Sequence, residues 1–85
     1  MLSYYEVDVP IRSASGAIGW HVFAGRASCR RDAMLLASHA YHQAVAASQA
    51  GLNLPQRGPD GWGARGYRAG WTPDWFAART RRVHL

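Results

Sequence analysis

The residues with the most chemistry to offer crowd the last third of the chain. Arg57, Arg65, Arg68, Arg79, Arg81 and Arg82 follow residue 56, interleaved with Trp62, Tyr67, Trp71, Trp75 and Phe76. Only Asp60 and Asp74 oppose them there. A guanidinium is planar, permanently charged and weakly hydrated, so it forks onto phosphate or carboxylate and stacks on rings. Exposed aromatic rings could add base or side-chain stacking. All ten basic residues are arginines, against five acids, for a formal net charge of +5. A GC-rich codon bias would account for the lack of lysine. It would not account for the crowding at one end, which predicts a face that grips an acidic or nucleic-acid partner. The predicted contact set is Arg57, Arg65, Arg68, Arg79, Arg81 and Arg82 with Trp62 and Tyr67. Trp62, between Gly61 and Gly63, is the ring expected to be exposed. Trp75 and Phe76 open a helix and are expected to point inward. The competing reading makes Trp62, Trp71, Trp75 and Phe76 core residues that cover the open side of a small sheet.

The other reactive side chains do not assemble a catalytic set. Cys29, beside Arg30 and Arg31 at a helix start, has the electropositive setting that favours a thiolate. It lacks a base and an oxyanion site within reach, and reads as a small helix-start residue. His39 and His42 stand i, i+3, but two imidazoles do not complete a zinc site. Glu6 and Asp8 are neighbours on one face of a strand. Paired carboxylates can do acid–base work, yet edge-strand charges that discourage aggregation are the simpler account. We therefore expect a binding protein that is not an enzyme and needs neither cofactor nor metal.

The elements that would carry these residues follow from periodicity. Residues 3–25 read as a β-hairpin. Tyr5, Val7, Val9 and Ile11 alternate with polar residues or proline in the first strand, and Ile18, Trp20, Val22 and Ala24 alternate in the second. Ser13-Ala14-Ser15-Gly16 supplies the turn. A four-residue loop makes partner numbers sum to 29, so Ile11 faces Ile18, Val9 faces Trp20 and Val7 faces Val22 on one apolar face, while Asp8 opposes His21 on the other. Pro10 predicts an unpaired edge on its side of the first strand.

Residues 29–50 read as one long helix. Ser28 is the expected N-cap, Asp32 lies in the first turn, and Gly51 is the stop. Ala33, Leu36, Ala37, Ala40, Tyr41, Ala44, Val45 and Ala47 form the inward stripe, with Leu35, His39, His42, Ala46 and Gln49 opposite. Residues 52–71 are rich in glycine and read as a long irregular segment, with room for a short strand around 67–71. Thr72-Pro73-Asp74 begins a helix expected over 73–79. A strand over 77–85 is the rival, and the tail is left open between the two.

Eighty-five residues bound the chain to one domain, 1–85, of class α+β and modest stability. A single cysteine precludes an intrachain disulfide and suits a reducing compartment. No signal-peptide layout or membrane-length apolar run is present, so a cytoplasmic protein without membrane contact is expected. No RNA-recognition, zinc-finger or helix-turn-helix signature appears.

In size, in hairpin-then-helix order and in lacking catalytic motifs, the chain resembles the small accessory proteins of phages and mobile elements, the anti-CRISPR proteins among them. That resemblance implies an inhibitor or adaptor of a nucleoprotein complex of the CRISPR-effector kind. The basic charge departs from the acidic, DNA-imitating members. It points instead to docking on an acidic protein patch, with direct single- or double-stranded nucleic-acid binding as the alternative.

Overall fold

A computed structural model describes residues 1–85 except Pro55, Arg65, Gly66, His84 and Leu85. The expected α+β arrangement is present: two long antiparallel strands, β1 (Ser3–Arg12) and β2 (Ile18–Ala27), then one helix, α1 (Arg30–Gln49). After the irregular segment come β3 (Thr72–Pro73), a single 3-10 turn (Trp75–Ala77) and β4 (Arg79–Arg82). The C-terminal segment thus uses both alternatives, a short helical turn and then a strand. The helix expected over 73–79 shrinks to that turn, capped by Asp74, whose carboxylate accepts from the Ala77 N–H at 3.2 Å. Residues 67–71 form no strand.

Strand β1 is central. It pairs antiparallel with β2 on one side and with β3 and β4 on the other. The edge beside Pro10 is therefore paired, contrary to expectation. Proline is tolerated because it lies where the neighbouring chain leaves the sheet between β3 and β4. Its missing N–H faces that gap, and its carbonyl accepts from the Asp74 N–H at 2.8 Å.

The hairpin register also differs from expectation. Partner numbers sum to 30: Val7 lies opposite Phe23, Val9 opposite His21 and Ile11 opposite Gly19. Turn chemistry decides this. Ser13 and Ala17 close the loop, with the Ser13 N–H donating to the Ala17 carbonyl at 2.9 Å. Three residues then remain in the loop, and the last, Gly16, has φ +89°. A three-residue hairpin loop wants its left-handed glycine there. The one-residue shift turns over every side chain of β2. His21, Phe23, Gly25 and Ala27 face inward, and Ile18, Trp20, Val22 and Ala24 face outward.

Glycine on the inner face of β2 explains where the C-terminal aromatics go. The Trp62 ring lies over Gly25, so close that a Cβ there would fall 2.5 Å from the indole. Trp71 lies over Gly19, where the same Cβ would make ordinary contact at 3.4 Å. Between them Trp75 stacks on Phe23 with ring centres 6.2 Å apart, and Tyr67 meets His21 at 6.0 Å. The irregular segment therefore acts as a second cover over the sheet beside α1.

Helix α1 packs on the same inner face. Its buried residues are Ala33, Ala37, Ala40 and Ala44, within the expected stripe. Small side chains let the helix approach Tyr5, Val7, Val9, Phe23 and Ala27 closely. The N-cap is Cys29 rather than Ser28: its Sγ accepts from the Asp32 N–H at 3.5 Å, and the Ser28 hydroxyl donates to the Asp32 carboxylate at 3.1 Å. At the other end Gly51, at φ +70°, terminates the helix as expected. The Gly51 N–H donates to the Ser48 carbonyl and the Leu52 N–H to the Ala47 carbonyl, a Schellman arrangement. Among the described residues no helix is long and apolar enough to cross a membrane.

Candidate docking face

One face of the sheet carries the helix and the aromatic cover. The other is open, and the register fixes what stands on it. Cross-strand partners share a face, so the outer surface can be read in rows from β2 through β1 to β3 or β4. Ile18, Arg12 and Thr72 form one row. Val22, Asp8 and Arg79 form another, and Ala24, Glu6 and Arg81 a third. Trp20 stands beside Pro10, and Arg26 beside Tyr4. The β2 column is apolar and exposed: Ile18 is 70% accessible, Trp20 57% and Val22 45%. The far column is arginine.

The charges on this face are partly paired. Arg81 forms an ion pair with Glu6 and reaches Asp8 at 3.8 Å. The Arg26 guanidinium lies over the Tyr4 ring, 5.6 Å from its centre. Arg12 and Arg79 are exposed and make no ion pair among the described residues. Asp8 Oδ1 is shielded from solvent and has no hydrogen-bond partner among the described residues. A cleft of about 450 Å³ opens between the hairpin turn and β3, and Arg12 and Ile18 line it with Pro10, Ile11 and Pro73. The face thus combines unpaired cations, an apolar stripe and a recess.

The contact set expected from sequence divides. Arg79 and Arg81 stand on the open face. Arg82, opposite Tyr5, belongs to the inner side of β4 and is exposed at its rim. The Arg68 guanidinium sits 5.1 Å from the centre of the Trp71 ring, near Gly19 and therefore on the covered side. Arg57 is exposed on the irregular segment, its Cγ and backbone crowding Gly63. Arg65 lies outside the described residues.

Both rings of the set are corrected. Trp62 is only 6% accessible, and its Nε1 donates to the Arg26 carbonyl at 2.8 Å. Gly61 lets the chain pass close to β2, and Gly25 makes the notch the indole fills. Tyr67 turns inward to Tyr41 and His21. Burial, and secondarily the neighbouring Tyr67, pushes the Tyr41 phenol above its ordinary pKa of 10.0. Conversely Phe76, expected inside, is fully exposed at 103%. A one-turn helix offers only one inward position here, and Trp75 takes it.

A four-residue loop puts Ile18, Trp20 and Val22 in the core, and the contact set expected from the C-terminal cluster does not include Arg12 or Arg26. The signal that could have found them is Gly16. Read as the left-handed residue of a three-residue loop, it sets the observed register and exposes this stripe. The remaining reactive groups stay apart. His39 contacts Gln43, the His42 ring bonds the Ser38 carbonyl at 2.8 Å, and Cys29 is a free, exposed thiol. Among the described residues no three His, Cys, Asp or Glu side chains converge as a metal site would require.

Comparison of this chain with protein-family models, with curated proteins and with solved structures finds no match.

Proposed function

We propose that this chain is a non-enzymatic binding protein that docks the open face of its sheet on an acidic surface of a partner protein. The supporting observation is the composition of that face: an exposed Ile18–Trp20–Val22 stripe bordered by Arg12, Arg26, Arg79 and Arg81. Protein interfaces favour an aromatic anchor with arginine at its margin. A nucleic-acid platform would favour several exposed rings along a cationic track. Here Trp62, Trp75 and Tyr67 are spent on inner-face packing, and Trp20 is flanked by aliphatic side chains. The resemblance of the sequence, in size and element order, to anti-CRISPR proteins makes a nucleoprotein complex the first partner class to test, with this chain as inhibitor or adaptor.

The test is capture of the partner from the native host, with and without nuclease, beside titration of the chain with free oligonucleotide. A partner retained after nuclease, with no oligonucleotide binding at low salt, is the expected result. Loss of the partner on nuclease treatment would overturn the reading. So would oligonucleotide binding that weakens by several log units per log unit of salt, because that slope counts released counterions.

A further inference from the structure

The far edge of β2 carries a second property, independent of the partner proposed above. The Arg26 N–H points away from β1 and donates to the Asp60 carbonyl at 2.7 Å. Main-chain groups of a strand alternate in direction with period two. The N–H and C=O groups of Ile18, Trp20, Val22 and Ala24 therefore also face this edge. Residues 58–61 cover its lower end, where Gly61 approaches Gly25 and the Ala24 carbonyl. From Ile18 to Val22 the edge has no main-chain partner among the described residues.

Exposed edges are normally blunted by a charge, a proline or a bulge. This stretch has none of them. Ala17 to Ala24 contains no Asp, Glu, Lys, Arg or Pro, and its pairing with β1 runs without interruption.

We infer that this edge pairs with the same edge of a second copy of the chain, antiparallel, about a two-fold axis at Trp20. The geometry is self-complementary. Trp20 is the midpoint of the open segment, so Trp20 meets Trp20 of the second copy and Ile18 meets Val22. All three residues direct both main-chain groups to the edge, so one register satisfies every free donor and acceptor from Ile18 to Val22. The side chains brought together are uncharged, and no like charges oppose one another in the paired segment. Arg12 and Arg79 stand on other strands, and the cationic columns end up at the two outer margins of one continuous sheet. A two-fold interface of this kind is isologous and closed, so it ends at the dimer. The short contact implies a weak, transient association.

Sedimentation of the intact chain over a broad concentration series tests this, with Val22→Pro as the decisive variant. The Val22 N–H faces the free edge, so proline removes a donor from the dimer and none from the β1 ladder. Trp20→Lys is the second variant and places two like charges at the axis. The inference expects a concentration-dependent dimer for the unmodified chain. It expects monomer at the same concentrations for both variants, with circular dichroism showing the fold retained. If Val22→Pro fails to fold, Trp20→Lys decides alone. A chain that stays monomeric throughout, or a folded variant that still dimerises with unchanged affinity, overturns the inference.

Discussion

Replacing Gly25 with alanine tests the packing that creates the open face. The new Cβ would lie 2.5 Å from Trp62 Cε2 and Nε1 and 2.6 Å from Cδ1. Comfortable contact between carbons needs about 3.5–4.0 Å, so the indole must retreat by about 1 Å. Crowding a packed core costs about 1–3 kcal/mol. The retreat also strains the 2.8 Å bond from Trp62 Nε1 to the Arg26 carbonyl, and a buried donor left unpaired costs about 1–3 kcal/mol. The two effects overlap, so a loss of about 2–4 kcal/mol is expected. For a chain of this size each kcal/mol is worth about 4–8 °C in Tm. Urea unfolding followed by tryptophan fluorescence, with thermal circular dichroism, reads the loss. Repeating the change with Trp62→Leu supplies the control. Gly25→Ala should then cost much less, because the two residues should couple by about 1–3 kcal/mol. With a register sum of 29 the Gly25 Cβ would point to solvent. A neutral Gly25→Ala, or equal costs with and without Trp62, would therefore refute both the register and the packing.

Three further expectations follow from single features. Gly51→Ala should cost about 1 kcal/mol in urea unfolding, because the residue sits at φ +70° with open space around it and only backbone strain is added. The contribution of Tyr41 to stability should be fully present below pH 10.0 and be lost as pH rises past it, because the unfolded phenol ionises before the folded one does. Tyr41→Phe should flatten that decline in unfolding midpoints measured from neutral to alkaline pH. Arg81→Ala should change stability by less than about 1 kcal/mol, since its side chain is 65% exposed and solvent screens its bonds to Glu6 and Asp8. Chemical denaturation of the variant at low and high salt checks this.

Long-range periodicity made much of this fold legible. The alternation of Tyr5, Val7, Val9 and Ile11 identified β1 and its inner face, and the alanine stripe identified the buried side of α1. Gly51 marked the helix end. What failed was governed by short, specific contacts. Both faces of β2 carry apolar residues, so hydrophobic pattern could not choose between registers that differ by one residue. The conformation of Gly16 chose. Trp75 was legible as an inward residue, but Trp62 and Trp71 were not, because their partners, Gly25 and Gly19, are recognised as notches only after the chain has folded back over them. The arginine cluster was a feature of the sequence order. In space β4 sends Arg79 and Arg81 to one face and Arg82 to the other, and the open face recruits Arg12 and Arg26 from the hairpin. Phe76 escaped burial because the last helix is a single 3-10 turn, which no propensity scale distinguishes from a longer one.

The docking claim is tested most directly by partner affinity for two doubly reversed variants of equal net charge. Arg12→Glu with Arg79→Glu alters the open face and leaves the β2 edge intact. Arg30→Glu with Arg57→Glu makes the same change at the helix start and on the irregular segment. The account predicts at least about a tenfold weakening, or 1.4 kcal/mol, for the first pair and near-native affinity for the second. Equal weakening by both pairs would show a response to total charge alone, and undiminished binding by the first would contradict the assignment of this face.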